Sequence, residues 1–204
     1  MCGRFTLITD GEVLRVRFQI ANIDKLDIEK RINIAPTQEV LAVINDGKVN
    51  KAGFLRWGLI PNWAQDTSIG NKIINARAES VHQKPSFKNL IKRNRCLILA
   101  DGFIEWKKED RLKQPYRISL KDNQPFAFAG LWDRYEKNGE KIVSCTIITT
   151  EANNLVGKIH NRMPVILTKE HEKLWLDRSY TDTNFLTQLL VPYDEYEMEM
   201  LTLD

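Results

Sequence analysis

The sequence predicts an α+β fold: a single β-rich domain over residues 1–204, with a curved, barrel-like sheet core and flanking short helices. Two observations lead there. Strand-sized apolar runs bounded by turn residues dominate the second half, while helix-period spacing appears only in short stretches. No repeat, low-complexity tract or Gly/Ser linker interrupts the 204 residues. A composition of 43% hydrophobic and 28% charged residues also excludes disordered, collagenous and coiled-coil chains.

In chain order, Thr9 followed by Glu12 fits a capping box that opens a helix through about Phe18. Residues 40–44 and 50–55 read as two strands around the Asn45-Asp46-Gly47 turn. A short helix is expected over 86–93, after Pro85. Strands follow at 95–100, 103–107, 116–120, 125–131, 142–149 and 164–168, with helices at 152–159, 169–176 and 183–190. Near the end, Tyr196, Met198 and Met200 alternate with Glu195, Glu197 and Glu199, which predicts a half-buried strand with an acidic outer face.

No apolar run approaches the ~18 residues of a membrane span, so no membrane role is expected. The start of the chain lacks the apolar core of a secretory signal, which favours a reducing cytoplasmic location. The net charge of +3 hides an asymmetry. Residues 1–100 hold sixteen basic against nine acidic side chains, a net +7, and residues 101–204 fourteen against eighteen, a net −4. Residues 51–100 carry nine basic side chains against only Asp66 and Glu79. A polyanion would bind there, although charge alone does not separate this from a solvated basic face.

There is no GxGxxG, GxxxxGK[ST], GxSxG or HExxH motif, and no close Cys/His spacing for a metal. No metal or cofactor is therefore expected. Cys96 and Cys145 lie in apolar strand-like runs and read as small core hydrophobes. Cys2 differs. Removal of Met1 would leave it with an α-amine, reference pKa ~7.7–8.0, and a thiol on adjacent carbons. The amine condenses with an aldehyde to an imine, and the thiol can close on the imine carbon to give a thiazolidine. The competing reading is an incidental terminal residue.

Other polar residues stand in apolar surroundings. On a strand Glu105 shares a face with Phe103, where desolvation would raise its pKa; an edge-strand Glu facing solvent is the alternative. His160, between a helix and a strand, is placed to shuttle protons or simply to cap. Arg77 in Asn75-Ala76-Arg77-Ala78-Glu79 suits a phosphate, while Asn75 can orient a polar intermediate; the same segment also reads as an ordinary helix start. Trp57 and Trp63 bracket a Gly/Pro loop, as base-stacking platforms or as core residues.

These blocks occur in one order: Met-Cys-Gly-Arg-Phe, Asn33-Ile34-Ala35-Pro36-Thr37, Trp57-Gly58-Leu59-Ile60-Pro61, Asn75-Ala76-Arg77-Ala78-Glu79, Ala100-Asp101-Gly102-Phe103, Glu105-Trp106 and His160-Asn161-Arg162-Met163-Pro164. Together they resemble the SOS response-associated peptidase (SRAP) family from residue 2 to about 170. Leu99 and Ile104 stand where the family often has Pro and Tyr; neither change removes a reacting group.

The resemblance implies a DNA-damage enzyme that senses abasic sites in single-stranded DNA, including those at single/double-strand junctions. It would crosslink itself to them through a thiazolidine on Cys2, with strand-cleaving lyase activity as a leak and reversal possible. Asn75 would hold the amine and the sugar-derived intermediate, Glu105 act as acid/base, and His160 shuttle protons. Arg4 and Arg77 would grip phosphates, and Trp57, with neighbours in its loop, would pack against the DNA. A monomer is expected. Two other classes stay open: a thiol peptidase using Cys2, His160 and Glu105, and a non-enzymatic single-strand binding module.

Overall fold

The protein was analysed as a computed structural model that describes residues 3–109, 112–137 and 139–203. Its strands are β1 (Phe5–Leu7), β2 (Arg31–Ile34), β3 (Glu39–Asn45), β4 (Asn50–Trp57), β5 (Asn75–Arg77), β6 (Arg95–Ala100), β7 (Gly102–Glu109), β8 (Leu112–Leu120), β9 (Phe126–Lys137), β10 (Glu140–Glu151), β11 (Arg162–Pro164), β12 (Ile166–Leu167) and β13 (Met198–Thr202). Four short helices flank them: α1 (Gly11–Phe18), α2 (Leu90–Arg93), α3 (Lys169–Leu176) and α4 (Thr183–Gln188).

Five strands close on themselves in the order β10-β4-β3-β6-β9 and back to β10, giving a small barrel. The β3–β4 hairpin is antiparallel from Glu39↔Arg56 to Asn45↔Asn50, whereas β10 runs parallel to β4 with Cys145 opposite Trp57. A second sheet, β13-β8-β7-β1-β2, packs against the barrel. Phe5 on β1 and Phe103 on β7 meet Phe128 of β9 edge-on, with centroids 5.6 and 6.3 Å apart, and Phe5 also lies 5.2 Å from Trp57. All four rings are buried, and each contributes on the order of 2 kcal/mol of transfer free energy to the sheet–barrel seam.

Along β10 the neighbours change. Trp57 ends β4 because Gly58 turns away at φ +132, a conformation only glycine takes without strain, and its N–H donates to Cys145 O at 2.8 Å. The next stretch of that edge is taken by β5, with Asn75 opposite Ile147 and Arg77 opposite Thr149. On the other edge β9 peels away and β11 replaces it, with Arg162 opposite Glu151. The last turn of β10 is thus flanked by Asn75 and Arg77 on one side and by the His160–Arg162 segment on the other.

Most expected elements are present, often longer than their apolar runs: β9 reaches Lys137 and β10 spans Glu140–Glu151. Cys96 and Cys145 are both buried in the barrel, and burial pushes both thiols up. Several details differ. Asp10, not Thr9, caps α1, its carboxylate accepting from Glu12 N–H, because Thr9 is committed to Asp101. Residues 152–159 form only a single 3-10 turn, Val156–Lys158, which Asn153 opens by accepting from Val156 N–H while its amide donates to Tyr193 O. The helix expected at 86–93 shrinks to α2. The acidic alternation becomes a strand only from Met198, and Tyr196 is exposed. Among the described residues no helix is long and apolar enough to cross a membrane.

Candidate active site

Asp101, at the corner between β6 and β7, organises the start of the chain. It accepts from Thr6 Oγ1 at 2.6 Å, from Thr9 N–H and Oγ1 at 2.9 Å each, and from Ile8 N–H. Arg117 lies 3.5 Å from its carboxylate and donates to its carbonyl at 2.9 Å. Gly102 makes room for this: a Cβ there would sit 2.7 Å from Arg117 Nε. Neither Asp101 nor Arg117 was singled out from sequence; the Asp-Gly pair was the available signal.

With residues 6–9 held, β1 pairs with β7 at Phe5↔Phe103, and Ile104 N–H donates to Arg4 O at 2.9 Å. This register holds Arg4 alongside Ile104, whose neighbour on β7 is Glu105. Cys2 itself lies outside the described residues. Glu105 is 3% exposed, not the solvent-facing edge residue of the alternative reading. Burial pushes its carboxyl above the usual Glu range, partly offset by the field of His160, which places the two groups in one electrostatic neighbourhood.

His160 follows the Val156–Lys158 turn, with its backbone N–H on Val156 O at 3.0 Å. Its Nδ1 lies 3.0 Å from both the N–H and the carbonyl of Arg162. The N–H donates to Nδ1 in one ring tautomer and the carbonyl accepts from it in the other, so in both the Arg162 backbone holds the imidazole by Nδ1.

The segment 75–79, which also read as a helix start, is strand β5 followed by a 3-10 turn at Ala78–Ser80. Ala76 points into the core, leaving Asn75 and Arg77 on the opposite face. Arg77 and His160 line one open groove of about 690 Å³ together with Glu151, Gly157, Asn161 and Arg162. Arg162 donates to Glu79 at 2.6 and 3.0 Å and to Thr149 O at 2.7 Å. That arch was also missed from sequence, because its halves lie 83 residues apart. Arg4 donates to Asn33 Oδ1 at 2.7 Å, tying two of the sequence blocks together.

Trp57 is a correction. It is 0% exposed, its ring packs on Phe5, and its indole N–H donates to Ile74 O at 2.9 Å, so it has no surface to offer DNA. The aromatic that this loop presents to solvent is Trp63, 52% exposed. Among the described residues no group of three or more His, Cys, Asp or Glu is placed to hold a metal.

Comparison with known proteins adds an independent line. A family model described as SOS response associated peptidase (SRAP) matches residues 1–204. The chain is 49% identical to Abasic site processing protein YoqW of Bacillus subtilis (strain 168), covering 98% of this chain and 90% of that protein. It is 48% identical to Abasic site processing protein YoaM of the same organism, covering 98% and 89%. Among solved structures, a protein from Bacteroides thetaiotaomicron superposes with a TM-score of 0.90 at 28% identity, over 100% of this chain and 92% of that one.

Proposed function

Because the chain belongs to the SOS response associated peptidase family, we propose that it captures abasic sites in single-stranded DNA by closing a thiazolidine between the lesion's aldehyde and Cys2. The names of the Bacillus relatives support abasic-site processing. The observation that supports the chemistry is the pairing of β1 with β7, which holds Arg4 against Ile104, next to a buried Glu105 within the field of His160.

An abasic deoxyribose is mostly a closed hemiacetal. Opening it moves a proton from the C1′ hydroxyl to the ring oxygen, and Glu105 with His160 serves as the acid/base pair for that transfer. With Met1 removed, the amine of Cys2 adds to C1′, the carbinolamine loses water, and an imine forms. Sulfur then attacks C1′ and the thiol proton passes to nitrogen, so the ring closes with no other leaving group. Asn75 orients the amine and the sugar hydroxyls. Holding the aldehyde beside Cys2 replaces a bimolecular condensation with a local one.

An imine left open acidifies the C2′ proton and permits β-elimination with strand cleavage; fast sulfur closure suppresses that leak. Expelling sulfur and rehydrating the imine returns the free protein. Arg4 and Arg77 bind the flanking phosphates. Base-reading residues are unnecessary, since the lesion has no base.

The test is denaturing electrophoresis after incubation with abasic, uracil-containing and intact oligonucleotides, together with intact-mass measurement of the protein. Only the abasic strand should give a shifted band, without borohydride, from protein lacking Met1. Cys2→Ala crosslinking as well as wild type would sink the mechanism.

A further inference from the structure

Two adjoining depressions in the barrel wall carry charge that this chemistry leaves unused. The larger, about 670 Å³, is lined by Arg17, Lys169, Lys173 and Arg178 among others. The smaller, about 250 Å³, is lined by Arg93, Arg95 and Trp132. They share Asn45, Leu176 and Arg178 and so form one trough.

The acids in its walls are already committed. Glu172 is buried and gripped by Arg17 at 2.7 and 2.8 Å. Asp177 accepts from Ser179 N–H and O–H at 2.8 and 2.7 Å, and Asp46, on the neighbouring turn, pairs with Lys51 at 2.7 Å. Arg95, beneath the trough, donates to the carbonyls of Trp175, Ile91, Lys92 and Asp177, so its hydrogen bonds all go to peptide dipoles, with the Asp177 carboxylate adding only its field. Arg93, Lys169, Lys173 and Arg178 are exposed. The result is a surplus of positive charge, strung along a groove with a half-buried Trp132 in its wall.

The trough lies around the barrel wall from the candidate site. Asn75 pairs with Ile147, Ile147 with Gly130, and Gly130 with Cys96, the neighbour of Arg95. Three strand spacings of ~4.8 Å make about 14 Å around the wall. We propose that the trough is a second footing for the same single strand of DNA. The flank beyond the lesion lies along it, with phosphates against Arg93, Lys169, Lys173 and Arg178 and a base on Trp132. Charges spread along a groove suit the spaced phosphates of a strand, whereas a lone small anion would want them converging on one point. An aromatic among them is what single-strand binding uses.

This inference rests on the DNA reading above, so its test uses a readout separate from crosslinking. Fluorescence anisotropy with intact single-stranded oligonucleotides of about 6 and about 20 nucleotides should show the longer binding at least ~10-fold tighter. Arg93→Glu with Arg178→Glu, and independently Lys169→Gln with Lys173→Gln, should each remove most of that gain. Each pair should also lower the salt slope for the longer strand by about 1.4, at ~0.7 per phosphate contact, and leave the short strand unchanged. Crosslinking of a short abasic oligonucleotide should stay at the wild-type rate in both variants; if wild type does not crosslink, the crosslinking reading fails while the length effect can still be read. An unchanged length effect in both variants overturns the proposal. So does stoichiometric binding of inorganic phosphate, lost in the variants, with no length effect in wild type.

Discussion

Arg162 and Glu79 clasp each other across β10: the guanidinium leaves β11 on one edge of that strand and meets the carboxylate that follows β5 on the other, at 2.6 and 3.0 Å. The same Arg162 holds His160 Nδ1 with its backbone, so the segment carrying Arg77 and the loop carrying His160 are fastened through one residue. Arg162 holds the Glu79 carboxyl below the usual Glu range. A lowered folded-state pKa gives stability that is present above the unfolded value of ~4.3 and is lost as pH falls through the folded value.

Glu79→Gln should therefore cost little at neutral pH, under ~1 kcal/mol for a half-exposed carboxylate, and should narrow the acid-side difference in Tm. The crosslinking rate should fall further than affinity, because His160 loses its fixed orientation. Stopped time courses at saturating DNA separate the two; a change in affinity alone would assign the pair to DNA binding.

Glu105 has the opposite sign. Its carboxyl is raised by burial, so the stability tied to it is intact below the unfolded value of ~4.3 and is lost as pH climbs through the raised folded value. Glu105→Gln removes the ionisation, so wild type should lose Tm relative to the variant as pH rises from about 4 to about 8. The same variant should crosslink ~10²–10⁴-fold more slowly. Thermal scans and gel time courses on one pair of proteins check both.

The two loop tryptophans should separate stability from binding. Trp57→Phe leaves the Ile74 carbonyl with the Ile147 N–H alone and empties part of a fully buried ring site, and should cost ~1–3 kcal/mol in urea unfolding, with DNA affinity of the folded protein retained. Trp63→Ala should weaken single-strand binding and leave the unfolding midpoint within ~0.5 kcal/mol of wild type.

Gly58→Ala places a Cβ 2.4 Å from Gly70 O at a φ of +132. Neither backbone can yield cheaply, and a loss of at least ~3 kcal/mol or an unfolded product is expected from circular dichroism. Gly47→Ala, also at positive φ but with no atom within 4 Å of its Cβ, should lose only the conformational share, ~1 kcal/mol.

Local pattern was legible and long-range placement was not. The β3–β4 hairpin follows from two apolar runs around Asn45-Asp46-Gly47, and α3 from its spacing after Thr168. The three-residue strands β1 and β5 carry no period of their own; they are strands because β7 and β10 pair with them. Trp57 illustrates a second limit. A Gly-Pro loop with an aromatic reads alike whether the ring faces water or Phe5, and only the closed barrel decides. Glu105 and His160 stand out as candidates by their surroundings in sequence, but Asp101 and Arg117, which set the course of β1, act through contacts about ninety and sixteen residues away.

The barrel's closing strand has a consequence for how the chain reaches its native state. Until β10 is in place, β4 has an unsatisfied edge and β5 has no ladder partner, and β10 begins 83 residues after the end of β4, at Glu140 against Trp57. Contacts at that separation are slow to form. Asn75, Arg77 and the His160 loop should thus acquire their arrangement in the last step of folding. A chain emerging from the ribosome would carry Cys2 long before it carries the segments proposed here to work with it.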